Sequence, residues 1–136
     1  MPSFSKVSES RLQTCNDRLQ EILRTVIQDY DFVVVCGYRD EAEQLKAYDA
    51  GNSRLLYPKS KHNTKPSLAV DIAPYKNGKI PWDDIHAFHE LAGRVLETAS
   101  LLGYPLVWGG HWTSFKDYPH FEIPQLTITQ KGSTDV

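Results

Sequence analysis

The chain has 136 residues, of which 40% are hydrophobic, and a formal net charge of −2 at pH 7. This length predicts one domain, residues 1–136, with a single core. The weak negative charge argues against a protein that binds nucleic acid through a broad basic surface. Two cysteines, Cys15 and Cys36, are too few for a disulfide scaffold and lack the Cys-x-x-Cys spacing of a thiolate metal site. We therefore expect both to be core thiols.

No stretch of the sequence predicts export or membrane insertion. The first ten residues, MPSFSKVSES, lack the apolar segment of a signal peptide. No run approaches the roughly 18 apolar residues that a membrane span needs. We expect a protein that is made in the cytoplasm, stays soluble and has no stable association with a membrane.

The first half of the chain predicts a helix, a buried strand and a second helix. Apolar residues recur at steps of three and four between residues 10 and 30, the pattern of an amphipathic helix. The run FVVVCG at 32–37 is β-branched and ends in glycine, which is typical of a buried strand. Asp40 and Glu43 have the spacing of a helix capping box, and Gly51 marks the end of the helix that they begin.

After a loop at 52–67, the second half mixes short strands with one long helix. The Asn-Gly pair in YKNGKIPW at 75–82 predicts a tight turn, and the helix at 83–102 ends at Gly103. Short strands are predicted at 68–73, 106–108 and 120–123. Helices and strands that do not alternate strictly favour the α+β class, and the polar tail at 125–136 is expected to be flexible.

One charged residue interrupts the strand at 68–73. In LAVDIAP, alternation places the larger apolar side chains on one face and Asp71, between two alanines, on the other. A buried carboxylate without a partner is costly, so something must compensate the charge of Asp71. A cation in the hollow above the alanines is one explanation, and a salt bridge to a lysine or a turn cap is the other.

Two histidines favour the cation. His62 lies nine positions before Asp71 in the loop that leads into the strand, and His120 follows Pro119 in the last predicted strand. Two histidines and one carboxylate are the protein ligands of many catalytic zinc sites, with a fourth position left for water. Zinc lowers the pKa of that water to about 7. The alternative for His62 is an exposed loop residue.

A hydrolytic metal site also needs a general base, for which there are two candidates. Asp117 lies three positions before His120, and the intervening Tyr-Pro predicts a bend that brings both to one ion. Glu122 shares a strand face with His120 and is either a rival base or a partner of that histidine. His86 and His89 form a further pair on the long helix, but their spacing of three differs from the spacing of four in zincins. We expect this pair to be structural.

Positively charged residues gather in two places. Arg39 follows the strand at 32–37, where its guanidinium could bind a substrate carboxylate or a developing oxyanion. Its alternative role is an ion pair with Asp40 or Glu43. The loop at 52–67 carries three lysines that we expect to be solvated, namely Lys59, Lys61 and Lys65.

The order of these motifs resembles a known enzyme family. The motifs are Ser60-Lys-His62, Ala69-Val-Asp71 and Asp117-Tyr-Pro-His120, which match the signature Ser-x-His, Ala-x-Asp and acid-x-x-His. GYRDEAEQ at 37–44 and WGGHW at 108–112 resemble two further segments of the family. The likeness covers about residues 4–124. The family is that of the zinc metallopeptidases that include D-Ala-D-Ala carboxypeptidases and the L-alanyl-D-glutamate endopeptidase endolysins of bacteriophages. Asp at 117, where the carboxypeptidases have Glu, resembles the endolysin branch.

The resemblance implies a fold and a site. The implied fold is a small antiparallel sheet with packed helices, as in hedgehog and D,D-peptidase domains. The implied residues are His62, Asp71 and His120 as ligands of Zn²⁺, Asp117 as general base, Arg39 at the polarised carbonyl, and Ser60 and Gln44 in support. His111 stands where many relatives have Asp and is either a substrate contact or simply exposed.

The implied activity is hydrolysis of the L-Ala-D-Glu bond in peptidoglycan stem peptides by a phage endolysin. The alternatives are a D,D- or L,D-carboxypeptidase acting on the same peptides and a catalytically silent wall-binding module. We expect a monomer without a nucleic-acid partner, which stays in the host cytoplasm until release and then acts on the periplasmic cell wall.

Overall fold

A small antiparallel sheet organises residues 2–124, the part of the chain that the computed structural model describes. Its strands are β1 (Phe32–Cys36), β2 (Ala69–Pro74), β3 (Val107–Trp108) and β4 (His120–Glu122), in the order β1-β2-β4-β3. The helices of these residues are α1 (Lys6–Leu12), α2 (Asp17–Val26), α3 (Glu41–Asp49) and α4 (Ile85–Leu102). Short 3-10 turns cover Lys61–Asn63 and Gly109–His111. The predicted α+β class with a small antiparallel sheet is confirmed.

The hydrophobic core lies between one face of the sheet and the helices α2 and α4. The sheet contributes Val34, Val70, Ile72 and Phe121, each at most 1% exposed. The helices contribute Leu19, Ile22 and Leu23 of α2 and Leu91 and Val95 of α4 to the same cluster. Burying an aliphatic side chain of this size stabilises the fold by about 1.5–3 kcal/mol. A one-residue slip would move these side chains to the opposite face, so the core fixes the strand register.

The single helix predicted at 10–30 is wrong, because two helices cover this segment. The helix α1 ends at Leu12, and α2 begins after its N-cap, Asn16. Between them the amide of Asn16 donates to the carbonyl of Ser67 at 2.8 Å, and the amide of Ser67 donates to the carbonyl of Thr14 at 2.9 Å. The apolar periodicity continues across the break because both helices turn apolar residues toward the core, which conceals the break from a pattern search.

Two local sequence signals, a helix capping box and an Asn-Gly pair, correctly predict the start of α3 and the turn at 75–82. Asp40 and Glu43 exchange side-chain and backbone hydrogen bonds in a complete capping box. In the turn, Asn77 and Gly78 have φ values of 53° and 78°. Positive φ at both central residues is the signature of the tight hairpin turn that Asn-Gly favours.

Within residues 2–124, none of the helices combines the length and the apolar character needed to cross a bilayer. The described residues contain one sheet and one main hydrophobic cluster. The predicted flexible tail at 125–136 lies outside the described residues.

Candidate metal centre and substrate cleft

Strand register places three candidate ligands in one row across the sheet. Asp71 lies opposite His120 in the antiparallel pair β2–β4 and opposite Cys36 in the pair β1–β2. Residues directly opposite each other share a sheet face, with Cβ atoms about 4.5–5.5 Å apart. The register of β1 shifts between Val34 and Cys36. This irregularity keeps Val34 in the core and brings Cys36 into the row.

A short turn brings His62 to the same face. Ser60 is the N-cap of the turn, and its hydroxyl accepts a hydrogen bond from the His62 amide at 3.2 Å. The carbonyl of His62 accepts from the Arg39 amide at 2.8 Å. Nδ1 of His62 lies 2.7 Å from the carbonyl oxygen of Gly37, so Nδ1 carries a proton and donates it. Nε2 is therefore the nitrogen that His62 turns toward Asp71.

Three donor atoms form a nearly equilateral triangle. Nε2 of His62 lies 3.3 Å from Oδ1 of Asp71, which in turn lies 3.1 Å from Nδ1 of His120. The two nitrogens are 3.3 Å apart. In a tetrahedral zinc site with ligands at about 2.0–2.1 Å, neighbouring ligand atoms are about 3.3 Å apart. The triangle therefore has the dimensions of one face of a tetrahedral zinc site.

The charges of this cluster also favour a cation. Burial alone would lower the pKa of His62, but the Asp71 carboxylate outweighs burial and raises that pKa to about 10. Burial alone would likewise raise the pKa of Asp71, but the two histidines hold it far below its usual range. The pKa of His120 is raised against the effect of burial by Asp71 and Glu122. The carboxylate of Asp71 therefore draws positive charge to the facing ring nitrogens, and a divalent ion in place of protons would supply that charge.

Further contacts fix the ring of His120. Its Nε2 lies 2.7 Å from Oε1 of Glu122. The other carboxylate oxygen of Glu122 lies 3.1 Å from Nζ of Lys61. Because both oxygens are engaged, Glu122 has the geometry of a partner that orients a metal-binding histidine. Of its two predicted roles, this geometry favours the second.

Arg39 pairs with Asp71 rather than with the acidic residues that follow it. Nη2 lies 3.1 Å from Oδ2 of Asp71, and Nη1 donates to Oε1 of Gln44 at 3.2 Å. Gln44 is fully buried. Its Nε2 donates to the hydroxyl of Ser53 and the carbonyl of Leu55 at 2.9 and 2.7 Å. Gln44 thus connects the guanidinium of Arg39 to the loop that follows α3.

The structure contains the predicted bend between Asp117 and His120. The His120 amide donates to the carbonyl of Asp117 at 3.1 Å. Oδ2 of Asp117 lies 4.0 Å from Nδ1 of His120, and ligand atoms of Asp71, Asp117 and His120 all lie within 4.8 Å of one another. Burial and the neighbouring Asp71 carboxylate raise the pKa of Asp117 to about 6. A carboxylate with this pKa is a stronger proton acceptor than an ordinary aspartate and is still ionised at neutral pH.

Two cavities share Asp117 in their lining, and together we call them the first and second halves of a cleft. The first half, about 180 Å³ in volume, is lined by Arg54, Lys59, Lys61, Trp112 and both candidate histidine ligands. The second half, about 900 Å³ in volume, is lined by Cys36, Glu43, Lys46, Trp82 and Lys116. The residues that line both halves are Arg39, Asn52, Phe115 and Asp117.

The expectation that Cys36 is a core thiol is wrong, whereas Cys15 is buried as predicted. The Sγ of Cys36 lies 4.0 Å from Nδ1 of His62. Ligand atoms of Cys36, His62 and Asp71 lie within 4.8 Å of one another. The shift in strand register explains the error, because no local pattern in FVVVCG reveals which residue will face Asp71.

The other predicted histidines lie outside the triangle. His111 is exposed, and its ring meets Trp108 edge to face with centroids 4.9 Å apart. His86 and His89 are exposed, and the ring of His89 packs edge to face against Trp108 at 5.0 Å. None of these three belongs to a group of possible metal ligands within residues 2–124.

Other site residues were missed or misjudged from the sequence. Asn63 is buried, and its side chain accepts from the Ser60 amide to complete a capping box, which the spacing of the two residues could have revealed. Trp112 packs with its ring centroid 5.1 Å from that of His120, and no spacing signals this contact. The solvated loop predicted for the lysines is wrong for Lys61, which bonds Glu122 and the carbonyl of Ile123.

Sequence comparisons match the chain to proteins described as L-alanyl-D-glutamate peptidases. A family described as phage L-alanyl-D-glutamate peptidase matches residues 2–130. The chain is 39% identical over 127 residues to the L-alanyl-D-glutamate peptidase of Escherichia phage T5, covering 91% of this chain and 90% of that protein. It is 35% identical over 105 residues to the peptidoglycan L-alanyl-D-glutamate endopeptidase CwlK of Bacillus subtilis (strain 168), covering 68% of this chain and 60% of that protein.

A solved structure with a similar fold is also that of an L-Ala D-Glu endopeptidase. The crystal structure of the Serratia marcescens L-Ala D-Glu endopeptidase ChiX matches with a TM-score of 0.77 and 28% sequence identity. The match covers 90% of each chain. The likeness therefore extends well beyond the few residues of the sequence motifs.

Proposed function

The chain belongs to the phage L-alanyl-D-glutamate peptidase family, and on that premise we propose that it hydrolyses the L-Ala-D-Glu bond of peptidoglycan stem peptides with the help of one zinc ion. The zinc ligands in this proposal are His62 through Nε2, Asp71 through Oδ1 and His120 through Nδ1. The observation that carries the proposal is the triangle of these three atoms, with sides of 3.1–3.3 Å. When bound, zinc supplies a Lewis acid and lowers the pKa of a water molecule to about 7.

The proton transfers fall to Asp117. Its carboxylate lies beside the triangle, 4.0 Å from Nδ1 of His120, and lines both halves of the cleft. With a raised pKa of about 6, Asp117 accepts a proton from the attacking water and then delivers it to the amine nitrogen of the leaving D-Glu residue.

Neighbouring residues orient these groups. Arg39 holds Oδ2 of Asp71, which leaves Oδ1 for the metal. Its guanidinium has five N–H donors, so donors remain for the carbonyl oxygen of the substrate. Glu122 and the carbonyl of Gly37 accept from the outer nitrogens of His120 and His62, which fixes the ring orientations that coordination requires.

The cleft favours an endopeptidase over a carboxypeptidase. A carboxypeptidase needs a closed end where the free carboxylate of its substrate binds, whereas an endopeptidase must accommodate chain on both sides of the cut. Here two cavities adjoin at Asp117, and we infer that one accommodates each side of the cut chain. All of the proposed ligands and the base come from a single chain, so a monomer is sufficient for the reaction.

The proposal is tested with purified Gram-negative sacculi. Zinc-loaded protein is expected to release fragments with a new amino terminus on D-Glu, and a chelator is expected to abolish the release until zinc is restored. Release of D-Ala instead would indicate a carboxypeptidase. Metal-loaded protein that binds sacculi without releasing any fragment would indicate a wall-binding module and would contradict the proposal.

The biological role that we propose is that of a phage lysin held in the host cytoplasm until release. Cells that express the protein alone should keep their walls, and they should lyse when the inner membrane is permeabilised. The zinc-free variant His120→Ala is the matched control. Lysis without permeabilisation would contradict this proposed route.

A further inference from the structure

Two cations in the first half of the cleft, Arg54 and Lys59, have no acidic partner among residues 2–124. Lys61 in this half is neutralised by Glu122. Within residues 2–124, no salt bridge joins Arg54 or Lys59 to a carboxylate, and both residues are exposed. The guanidinium of Arg54 lies 4.5 Å from the ring centroid of Phe115. Stacking of this kind holds a guanidinium in place without cancelling its charge.

The segment that carries these cations is anchored to the metal site at both ends. Ser53 and Leu55, on either side of Arg54, accept hydrogen bonds from the buried amide of Gln44. Ser60, which follows Lys59, caps the turn that presents His62. The backbone of this segment is therefore held beside the cleft at both ends, and the guanidinium of Arg54 is also held by its stacking on Phe115.

The second half of the cleft has a different charge pattern. Its three lining cations, Arg39, Lys46 and Lys116, are matched by three carboxylates, those of Glu43, Asp71 and Asp117. Apolar groups, among them Ala47 and Trp82, line much of the remainder. The first half has four cations, Arg39, Arg54, Lys59 and Lys61, against two carboxylates, those of Asp117 and Glu122. An anionic part of a substrate therefore fits the first half better than the second.

The substrate is asymmetric in the same way. In a stem peptide the chain continues from the γ-carboxyl of D-Glu, which leaves the α-carboxylate of that residue free unless the wall is amidated there. On the other side of the scissile bond, L-Ala has only a methyl group as its side chain. The negative charge nearest to the bond therefore lies on the D-Glu side.

We propose that Arg54 and Lys59 form an anion subsite that binds the free α-carboxylate of D-Glu, so that D-Glu occupies the first half of the cleft and L-Ala the second. This inference rests on the proposed function. It makes the two residues determinants of specificity, and it predicts discrimination between walls with D-Glu and walls with D-isoglutamine at this position.

The test uses two synthetic N-acetylated tripeptides, L-Ala-γ-D-Glu-diaminopimelate and its α-carboxamide analogue. Zinc-loaded wild-type protein is expected to cleave the acid with a kcat/KM about tenfold higher, since one charge-assisted contact in a partly exposed cleft is lost with the amide. The double variant Arg54→Gln, Lys59→Gln is expected to lose this preference, because its kcat/KM should fall for the acid and stay unchanged for the carboxamide analogue. The preference of the wild type should also weaken as salt is added.

The control is Arg94→Gln. Arg94 also stacks on an aromatic ring, 4.8 Å from the centroid of Tyr30, but it lies on α4 away from the cleft, so the preference should remain. Equal cleavage of both peptides by the wild type, or a preference that survives in the double variant, overturns the subsite while the endopeptidase proposal stands. Failure of the zinc-loaded wild type to cleave either peptide or sacculi overturns both.

Discussion

On one face of β2, Val70 and Ile72 are fully buried among apolar side chains, whereas on the other face Asp71 meets two histidines and an arginine. Both faces come from alternating residues of the segment LAVDIAP. The apolar face needs no partner other than the helices that cover it. The polar face places two ring nitrogens and a carboxylate oxygen 3.1–3.3 Å apart, which matches the distance between neighbouring ligand atoms in a tetrahedral zinc site. This arrangement is stable only when protons or a metal ion lie between the three atoms.

This difference assigns separate tasks to neighbouring residues. The apolar face fixes the register of the strands and thereby sets the positions of Asp71 and His120. The polar face presents the proposed zinc ligands at those positions. Substitutions on the first face should therefore change the free energy of unfolding, and substitutions on the second should change metal content and turnover.

The largest expected effect comes from removing a ligand. His120→Ala eliminates one corner of the triangle and is expected to abolish stoichiometric zinc binding and, with it, all detectable hydrolysis of sacculi. Metal analysis of the purified variant and assay of released fragments measure the two effects. Circular dichroism is the check that the fold persists. A variant that keeps one equivalent of zinc and cuts at the wild-type rate would contradict the proposed ligand set.

A smaller loss is expected from Asp117→Asn, which keeps the shape of the side chain and removes its function as a base. General acid–base groups contribute about 10²–10⁴-fold to rate, so kcat should fall by that factor while zinc content remains at one equivalent. Stopped assays of fragment release, paired with metal analysis, separate the two readouts. Full activity in this variant would shift attention to Glu122 as the base.

Much of the polar face could be predicted from sequence, for identifiable reasons. Period-two alternation in β2 indicates which face carries Asp71, and the motif order indicates which histidines accompany it. Capping chemistry is local, so Asp40 and Glu43 revealed the start of α3. These features depend on residues close in the chain or on a match to a family.

The features that the sequence did not reveal depend on contacts between distant segments. Cys36 faces Asp71 only because the register of β1 shifts, and the break before Asn16 is stabilised by Ser67, which is far along the chain. The family resemblance implies a supporting role for Gln44, but it does not show that this side chain is fully buried and bonds the loop after α3. No local pattern contains that information.

The apolar face can be tested with Ile72→Ala. Removing a buried Ile side chain is expected to lower the free energy of unfolding by about 2–5 kcal/mol, as measured by denaturant titration of the zinc-loaded protein. Zinc stoichiometry and kcat at a temperature where the variant is folded should stay near wild type. Loss of zinc from a variant that unfolds at the same denaturant concentration as wild type would show that the two faces are not separable.

The polar face should respond to pH in a defined direction. In the metal-free protein the Asp71 carboxylate raises the pKa of His62 to about 10, so zinc must displace a proton from this histidine throughout the neutral range. Apparent zinc affinity is therefore expected to rise with pH, about tenfold per unit for each proton displaced. Calorimetry in buffers of different ionisation enthalpy measures the released protons directly. Zinc binding that releases no proton at pH 7 would contradict this account.

The smallest effect on the polar face is expected from Glu122→Gln. The amide can still accept from Nε2 of His120, but it no longer carries the charge that increases the basicity of the ring, and it weakens the contact with Lys61. Loss of such a partner typically lowers metal affinity by about 10–100-fold, so zinc should dissociate at a lower chelator concentration, while kcat at saturating zinc changes little. A competition assay with a coloured chelator measures the first quantity, and fragment release in excess zinc measures the second. If kcat collapses with zinc bound, Glu122 participates in the chemistry itself, and the division of roles between Asp117 and Glu122 must be reversed.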